Sequence, residues 1–381
     1  MTRREFFRGS IGLLFSASLL KNFRLSEKYS FHQSGTSNLI VAHNGTPEEL
    51  LIAALNTFGG IGKVVKKGQK VVIKVNISFN MSPDQAVTTN PELVEALVRL
   101  CREAGAREVL VIDHTIQSWR MCLDSTQMKD TVEGAGGKIK AINYDNEYKY
   151  STIPQGKTLK ETRISKDVLD ADVFINVPIA KVHNSAVTTL SMKNLMGIVF
   201  DRGEFHWLGL HECIADLSTF VKPDLIILDA YRILMTNGPG GPGKIKEAGE
   251  VVVGTDPVAV DVYGSLLLEE NPEDIGYIKK AADLGVGEMD VNNVNTVHVD
   301  ASESVLQEET AVEPEPESGE VVESLPPEEV VEEEVVIEEP VKEYEDKEVG
   351  IPAVILIPAL VVSFLIGLRM RRKPKDTEKP E

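Results

Sequence analysis

The chain reads as an α/β protein: a largely parallel sheet with helices on both faces, plus a disordered acidic stalk and one C-terminal transmembrane helix. Three observations predict this. Short Val- and Ile-rich runs alternate with longer helical patterns from Leu39 to Val299, the signature of strand–helix–strand units. A stretch from Glu303 to Glu348 holds 18 Glu, one Asp and two Lys, too charged and too poor in apolar bulk to fold. Ile351–Leu368 is then uncharged over 18 residues and is followed at once by Arg369, Arg371, Arg372 and Lys373.

The body is taken as residues 27–302. Leu39–His43 is a short strand. Thr46, Pro47, Glu48 and Glu49 supply a cap, a proline at the first helical position and acids in the first turn, which predicts a helix to Phe58. Val71–Asn76 is a strand whose apolar residues are interrupted by Lys74. Asn90-Pro91-Glu92 repeats the cap and starts a helix that Gly105 stops. A strand over Glu108–Ile112 closes on Asp113, a helix runs from Asp124 to Gly136, and Ile139–Ile142 is a short strand. Thr158–Ile164 is expected at a sheet edge, and Asp172–Val177 is a strand ending near Asn176. Thr188–Met196 reads as helical and Asp201–His211 as a polar loop. Further along come a helix over Glu212–Val221, a strand over Asp224–Leu228 ending on Asp229, and a Gly- and Pro-rich loop over Asn237–Gly243. A strand over Glu250–Val253, helices over Pro257–Glu269 and Glu273–Leu284, and a strand over Thr296–Val299 complete the body.

The two ends point to a membrane. Residues 1–26 carry Arg3 and Arg4 ahead of an apolar run from Ile11 to Leu20, which resembles a twin-arginine export signal. Residues 351–368 would form about 27 Å of helix, close to the thickness of a bilayer core. The basic tail, residues 369–381, keeps that end in the cytoplasm. The body is then extracytoplasmic and held by a single C-terminal anchor. The linker, residues 303–350, has a root-mean-square reach of about 35–40 Å. It reads as a stalk, with an acidic docking tail as the alternative.

Charge and cysteine content exclude some classes. The linker contributes −17 to the chain's net −19 and the basic tail +3, leaving Met1–Ser302 at only −5. There is no basic excess for general nucleic-acid binding. Cys101, Cys122 and Cys213 are scattered, with no CxxC spacing, so no iron–sulfur cluster is expected. Cys101 falls in an apolar helical pattern, and a Cys122–Cys213 disulfide is an open alternative. A Rossmann glycine fingerprint, a P-loop and a nucleophile elbow are all absent from the sequence.

What remains is one polar cluster. Lys181–Gly197, KVHNSAVTTLSMKNLMG, follows an apolar strand and contains Lys181, His183, Ser191, Lys193 and Asn194 without a single carboxylate. Such a cationic donor set suits an anion. Asn76, Asp113, Asn176 and Asp229 each fall at the carboxyl end of a predicted strand, with Lys74 just inside one, and in open α/β sheets ligands bind along that edge.

These segments also carry a resemblance. KVHNSAVTTLSMKNLMG, VVIKVN at Val71–Asn76, the run Thr88–Asp113 and VVVGTDPVAVD at Val251–Asp261 resemble the family catalogued as domain of unknown function 362, over roughly Leu39 to Asp300. Some members are labelled uncharacterised iron–sulfur centre proteins, and this chain lacks the cysteine run such members add. The resemblance implies a class and leaves the reaction open.

The expected function is an enzyme or cofactor protein, with a redox link among its options, acting on a small anionic ligand. Lys74, Lys193, Asn76, Asn194 and Ser191 would bind it, His183, Asp113 or Lys181 would move a proton, and Asp229 would hold a lysine or a metal. The cofactor is left unknown. The alternative is a non-catalytic anion-binding module presented on a stalk. Two metal sites were also conceivable, one around His206 and His211 with Glu204 and Glu212, the other from Asp113, His114 and Asp229.

Overall fold

The computed structural model describes residues 37–303. The export signal with Arg3 and Arg4, nearly all of the acidic linker, the span at residues 351–368 and the basic tail lie outside the described residues. Among the described residues no helix is long and apolar enough to cross a membrane.

The main sheet runs β12-β1-β11-β10-β7-β2-β3-β4, where β1 is Ser37–His43, β2 Lys70–Lys74, β3 Glu108–Asp113, β4 Lys138–Ala141, β7 Val173–Asn176, β10 Leu225–Leu234, β11 Ile245–Gly254 and β12 Val294–Asp300. Its centre, β10-β7-β2-β3-β4, is all parallel. β11 is antiparallel to both β1 and β10, so the sheet is mixed but mostly parallel. Two further strands, β8 (Ile179–His183) and β9 (Val187–Thr189), form a hairpin attached through β8 to β10.

Alternation along the strands builds two cores. Val71, Ile73, Val109, Val111 and Ile175 pack with Leu50 and Leu51 of α1 (Pro47–Phe58) and Leu93 and Leu97 of α2 (Pro91–Glu103). Val72, Leu110, Ile112 and Phe174 face the other way. There they meet Ile214 and Leu217 of the helix Leu210–Phe220, Val258 and Val262 of the helix Pro257–Leu267, and Tyr277 of the helix Gly276–Asp283. Helices therefore cover both faces, which is why the central strands are apolar at every position rather than every second one.

The caps act as the sequence suggests. Thr46 Oγ1 accepts from Glu49 N while the Glu49 carboxylate accepts from Thr46 N, a reciprocal box at the start of α1. Asn90 Oδ1 accepts from Glu92 N, and Gly105 takes the left-handed conformation after α2, at φ +88°.

Four local expectations are corrected. The helix expected from Asp124 is two helices, Trp119–Thr126 and Met128–Gly134, because Gln127 adopts φ +57° and breaks the hydrogen-bond ladder. Thr158–Ile164 does not edge the main sheet. The strand that forms there, β6 (Glu161–Ser165), pairs with β5 (Tyr148–Thr152), an unforeseen strand, in a separate antiparallel ribbon. The stretch Thr188–Met196 starts as strand β9, and only Ser191–Asn194 is α-helical, continued by a 3-10 turn over Leu195–Ile198. Phe205–Leu208 forms a turn of helix inside the expected loop. The three cysteines are free and buried, so the Cys122–Cys213 disulfide is not formed.

Candidate functional site

Strands β2, β3 and β7 end side by side, and their last residues are Lys74, Asp113 and Asn176. All three side chains are buried. Lys74 Nζ stands 2.8 Å from Asp113 Oδ1. It also donates to the carbonyl of Val75 at 2.5 Å and to Asn194 Oδ1 at 3.2 Å. Asp113 accepts further bonds from Ile77 N, Ser78 Oγ and His114 N. A buried ion pair needs its remaining lone pairs satisfied, and this one has them. Gly197 makes the close approach feasible: a Cβ there would fall 2.6 Å from Lys74 Nζ and 2.7 Å from Asp113 Oδ1.

A chain of three asparagine amides ties the strand ends to the helix Ser191–Asn194. Asn76 Nδ2 donates to Asn194 Oδ1 at 3.0 Å, and Asn194 Nδ2 donates to Asn176 Oδ1 at 2.9 Å. Asn176 Nδ2 then reaches Ser191 O and Ser191 Oγ. From the far side, the Asp261 carboxylate accepts from Ser191 N and Met192 N. It caps a helix too short to hold itself.

The β8–β9 hairpin brings Lys181 opposite Thr189, so their side chains are neighbours on one face. Lys181 Nζ donates to Val87 O at 2.6 Å and to Asn76 Oδ1 at 3.2 Å. Its acceptors are neutral. The hairpin turn is strained: Val187 sits at φ +68°, a conformation a β-branched residue adopts at a cost of about 1–3 kcal/mol. His183 Nδ1 accepts from Ser185 N and Ala186 N, which leaves the ring proton on Nε2.

Together these groups enclose a cavity of about 490 Å³, lined among others by Lys74, Lys181, His183, Lys193 and Arg202, with no carboxylate in its lining. Arg202 donates to the carbonyls of His114 and Thr115. Neither Arg202 nor Lys193 has a carboxylate ion-pair partner among the described residues. The apolar walls come from Phe79, Ile116, Met196 and Pro239, the last from the Gly- and Pro-rich loop.

Burial and crowding of like charge weaken the cations' hold on their protons. Lys181 is brought down to about 7, by burial first and then by Lys193 and Lys74, against the pull of Asp113. Lys193 falls to about 8 through burial and the charges of Arg202 and Lys74. His183 is pushed down to about 3 by burial and by Lys193 and Lys181, so it is a neutral donor at ordinary pH.

Of the residues singled out from sequence, Lys74, Asn76, Lys181, His183, Lys193 and Asn194 meet at this cavity. Asp113 is drawn into the network behind it as the partner of Lys74. Ser191 and Asp229 do not reach the lining. The Ser191 hydroxyl accepts from Asn176. Asp229 lies mid-strand in β10, paired with Ile179 of β8 rather than at a strand end. Its carboxylate accepts from Asn90 N and Tyr231 N, so it holds the loop ahead of α2. Among the described residues no group of three or more His, Cys, Asp or Glu side chains is placed to hold a metal. His211 instead accepts from Tyr277 N. Sequence reasoning missed Arg202 and Gly197. Gly197 closes the organising motif, whereas a lone arginine in a polar stretch carries no pattern of its own.

The fold and site define a class: an α/β protein with a cationic crevice at the carboxyl ends of its parallel strands. The chain belongs to the family described as Domain of unknown function (DUF362), which matches residues 71–265. A thylakoid-associated protein of Synechocystis sp. is 28% identical over 250 residues, covering 62% of this chain and 75% of that one. Two solved structures share a more distant likeness. A protein from Thermotoga maritima aligns with TM-score 0.37 at 11% identity, over 63% of this chain and 60% of that one. The lactate racemase apoprotein from Thermoanaerobacterium thermosaccharolyticum aligns with TM-score 0.36 at 13% identity, over 63% of this chain and 57% of that one. The chain thus spans less than two thirds of either structure.

Proposed function

We propose that the chain is an enzyme acting on a small anionic ligand held in the cationic cavity. One observation carries this reading: Lys74, Lys181, Lys193 and Arg202 line a single cavity into which no carboxylate projects. Desolvated cations without a counter-ion are costly, and among the described residues neither Lys193 nor Arg202, both partly buried, has a carboxylate ion-pair partner. A phosphate or carboxylate would supply them. Lys181 is the group suited to proton transfer, since its ammonium is already weakened at neutral pH. His183 and Asp113 take narrower roles than their residue types suggest. Neutral His183 offers an N–H to the ligand, and Asp113, engaged by four donors, holds Lys74 in place.

The binding-module reading has one observation in its favour: with Asp113 saturated and His183 locked, proton transfer is left to Lys181 and Lys193, the two lysines whose protons are weakened. Calorimetry of the full chain with inorganic phosphate and succinate separates the outcomes. Binding is expected, and Lys193→Gln with Arg202→Gln should weaken it by about 10²-fold or more, given roughly 1.5–3 kcal/mol per charge-assisted contact. Unchanged affinity in the double variant would refute the anion site.

We also read the body as extracytoplasmic, exported through the Arg3–Arg4 signal and anchored by residues 351–368. The relative whose name places it at the thylakoid supports a membrane association. Arg3→Lys with Arg4→Lys should retain the body in the cytoplasm, and deletion of residues 351–381 should release it from membranes on fractionation. A membrane fraction unaltered by both changes would sink this assignment.

A further inference from the structure

We propose that Lys181 is a nucleophile that forms an imine with the carbonyl of a small 2-oxo acid. This deepens the anion reading of the same cavity and rests on it. Geometry carries it. Lys181 lines the cavity, and two of the positions on its nitrogen are committed to Val87 O and Asn76 Oδ1. In the neutral amine those two hydrogen bonds use both hydrogens, and the lone pair is what remains for a ligand. Among the described residues no carboxylate pairs with the nitrogen, and Asp113, which favours the ammonium, is engaged by Lys74. A lysine desolvated beside other cations is the usual form of an activated amine.

The second observation is Thr189. It lies directly across the hairpin from Lys181 and also lines the cavity. Its hydroxyl is buried and finds no hydrogen-bond partner among the described residues. An orphaned buried hydroxyl is rare, and this one belongs to the residue paired with Lys181 across the hairpin, from where it would serve the oxygen of an attacked carbonyl. Lys193 and Arg202 would hold the carboxylate of the same molecule, and the Nε2–H of His183 is a further donor for the developing oxyanion.

The chemistry balances without a further reactant. The amine adds to the carbonyl carbon, forming a C–N bond, and the C=O π pair moves to oxygen. A proton passes from nitrogen to that oxygen through the Thr189 hydroxyl. The second nitrogen proton follows to the same oxygen as the C–O bond breaks, and water departs, leaving C=N. One amine and one carbonyl give one imine and one water, with no change in oxidation state.

The test is reductive trapping. The full chain is incubated at pH 8 with pyruvate, oxaloacetate, 2-oxoglutarate or glyoxylate and reduced with sodium borohydride, with succinate as the carbonyl-free control. Peptide mapping by mass spectrometry then locates the adducts. Expected is a reduced adduct on Lys181 with at least one oxo acid, none with succinate, and loss of that adduct in Lys181→Arg. Thr189→Val should slow trapping at saturating oxo acid by at least tenfold. Should Lys181→Arg fail to fold, the wild-type map decides alone. Adducts spread over surface lysines, or no Lys181 adduct with any of the four acids while succinate still binds, would overturn the imine and leave the anion site standing. Failure of every acid to bind would overturn both.

Discussion

Asp113→Ala should lower the stability of the chain by about 3–5 kcal/mol, because it leaves Lys74 buried without its counter-ion. Both side chains are essentially inaccessible, at 1% and 0% exposure. Lys74 has no second carboxylate to turn to, since its other contacts are the Val75 carbonyl and Asn194 Oδ1. The same change strips the acceptor from Ile77 N, Ser78 Oγ and His114 N, and buried donors without acceptors add their own penalty. The urea midpoint measures the effect. A loss below about 1 kcal/mol would show that burial, which already lowers the proton affinity of Lys74, leaves it neutral in the folded state, so that Asp113 holds no charge. Gly197→Ala should act on the same pair from the other side. Its methyl group would enter the space of Lys74 Nζ and Asp113 Oδ1, and overpacking of a tight core costs about 1–3 kcal/mol.

How much of this was legible beforehand depended on whether a feature is local. The caps at Thr46 and Asn90 and the stop at Gly105 are written in adjacent residues, and they appear as read. The edge where the parallel strands end was also legible, because Asn76, Asp113 and Asn176 close apolar runs, although β2 itself stops at Lys74. Asp229 misled for the same reason. It looks like a strand terminus, but β10 continues to Leu234, since its later residues pair with β11, a partner no local pattern names. Thr188–Met196 looks helical throughout, although Thr188 and Thr189 belong to β9 and only Ser191–Asn194 is α-helical, because its periodicity spans too few residues to separate the two. Val187 at positive φ is a tertiary choice that a β-branched residue would not signal. Arg202 reaches the cavity only because its guanidinium is anchored on the carbonyls of His114 and Thr115, far away in sequence.

The affinity of the cavity for sulfate should fall about 10³-fold between pH 6 and pH 9. Sulfate keeps its two charges throughout, so the whole dependence belongs to the protein. Below about 7 both Lys181 and Lys193 carry a proton, and the cavity presents its full positive charge. As pH rises through about 7, Lys181 releases its proton in the free protein, while a bound dianion would hold it on. Binding then takes up one proton, and affinity drops by about tenfold per pH unit. Above about 8 Lys193 follows, two protons are taken up, and the slope doubles. The direction follows from the sign of the shifts: both lysines are depressed from the ordinary lysine range, so the free cavity discharges well before a solvated lysine would. Calorimetry over that range in buffers of matched ionic strength checks it. Lys193→Gln should remove the steeper upper limb. Lys181→Arg, whose guanidinium keeps its charge, should remove the lower one. A flat profile in the unsubstituted protein would mean that Lys74 and Arg202 alone hold the anion. The same protons also divide the two roles of the site: at pH 6 Lys181 can attract an anion, and only above about 7 does its amine become free to act on one.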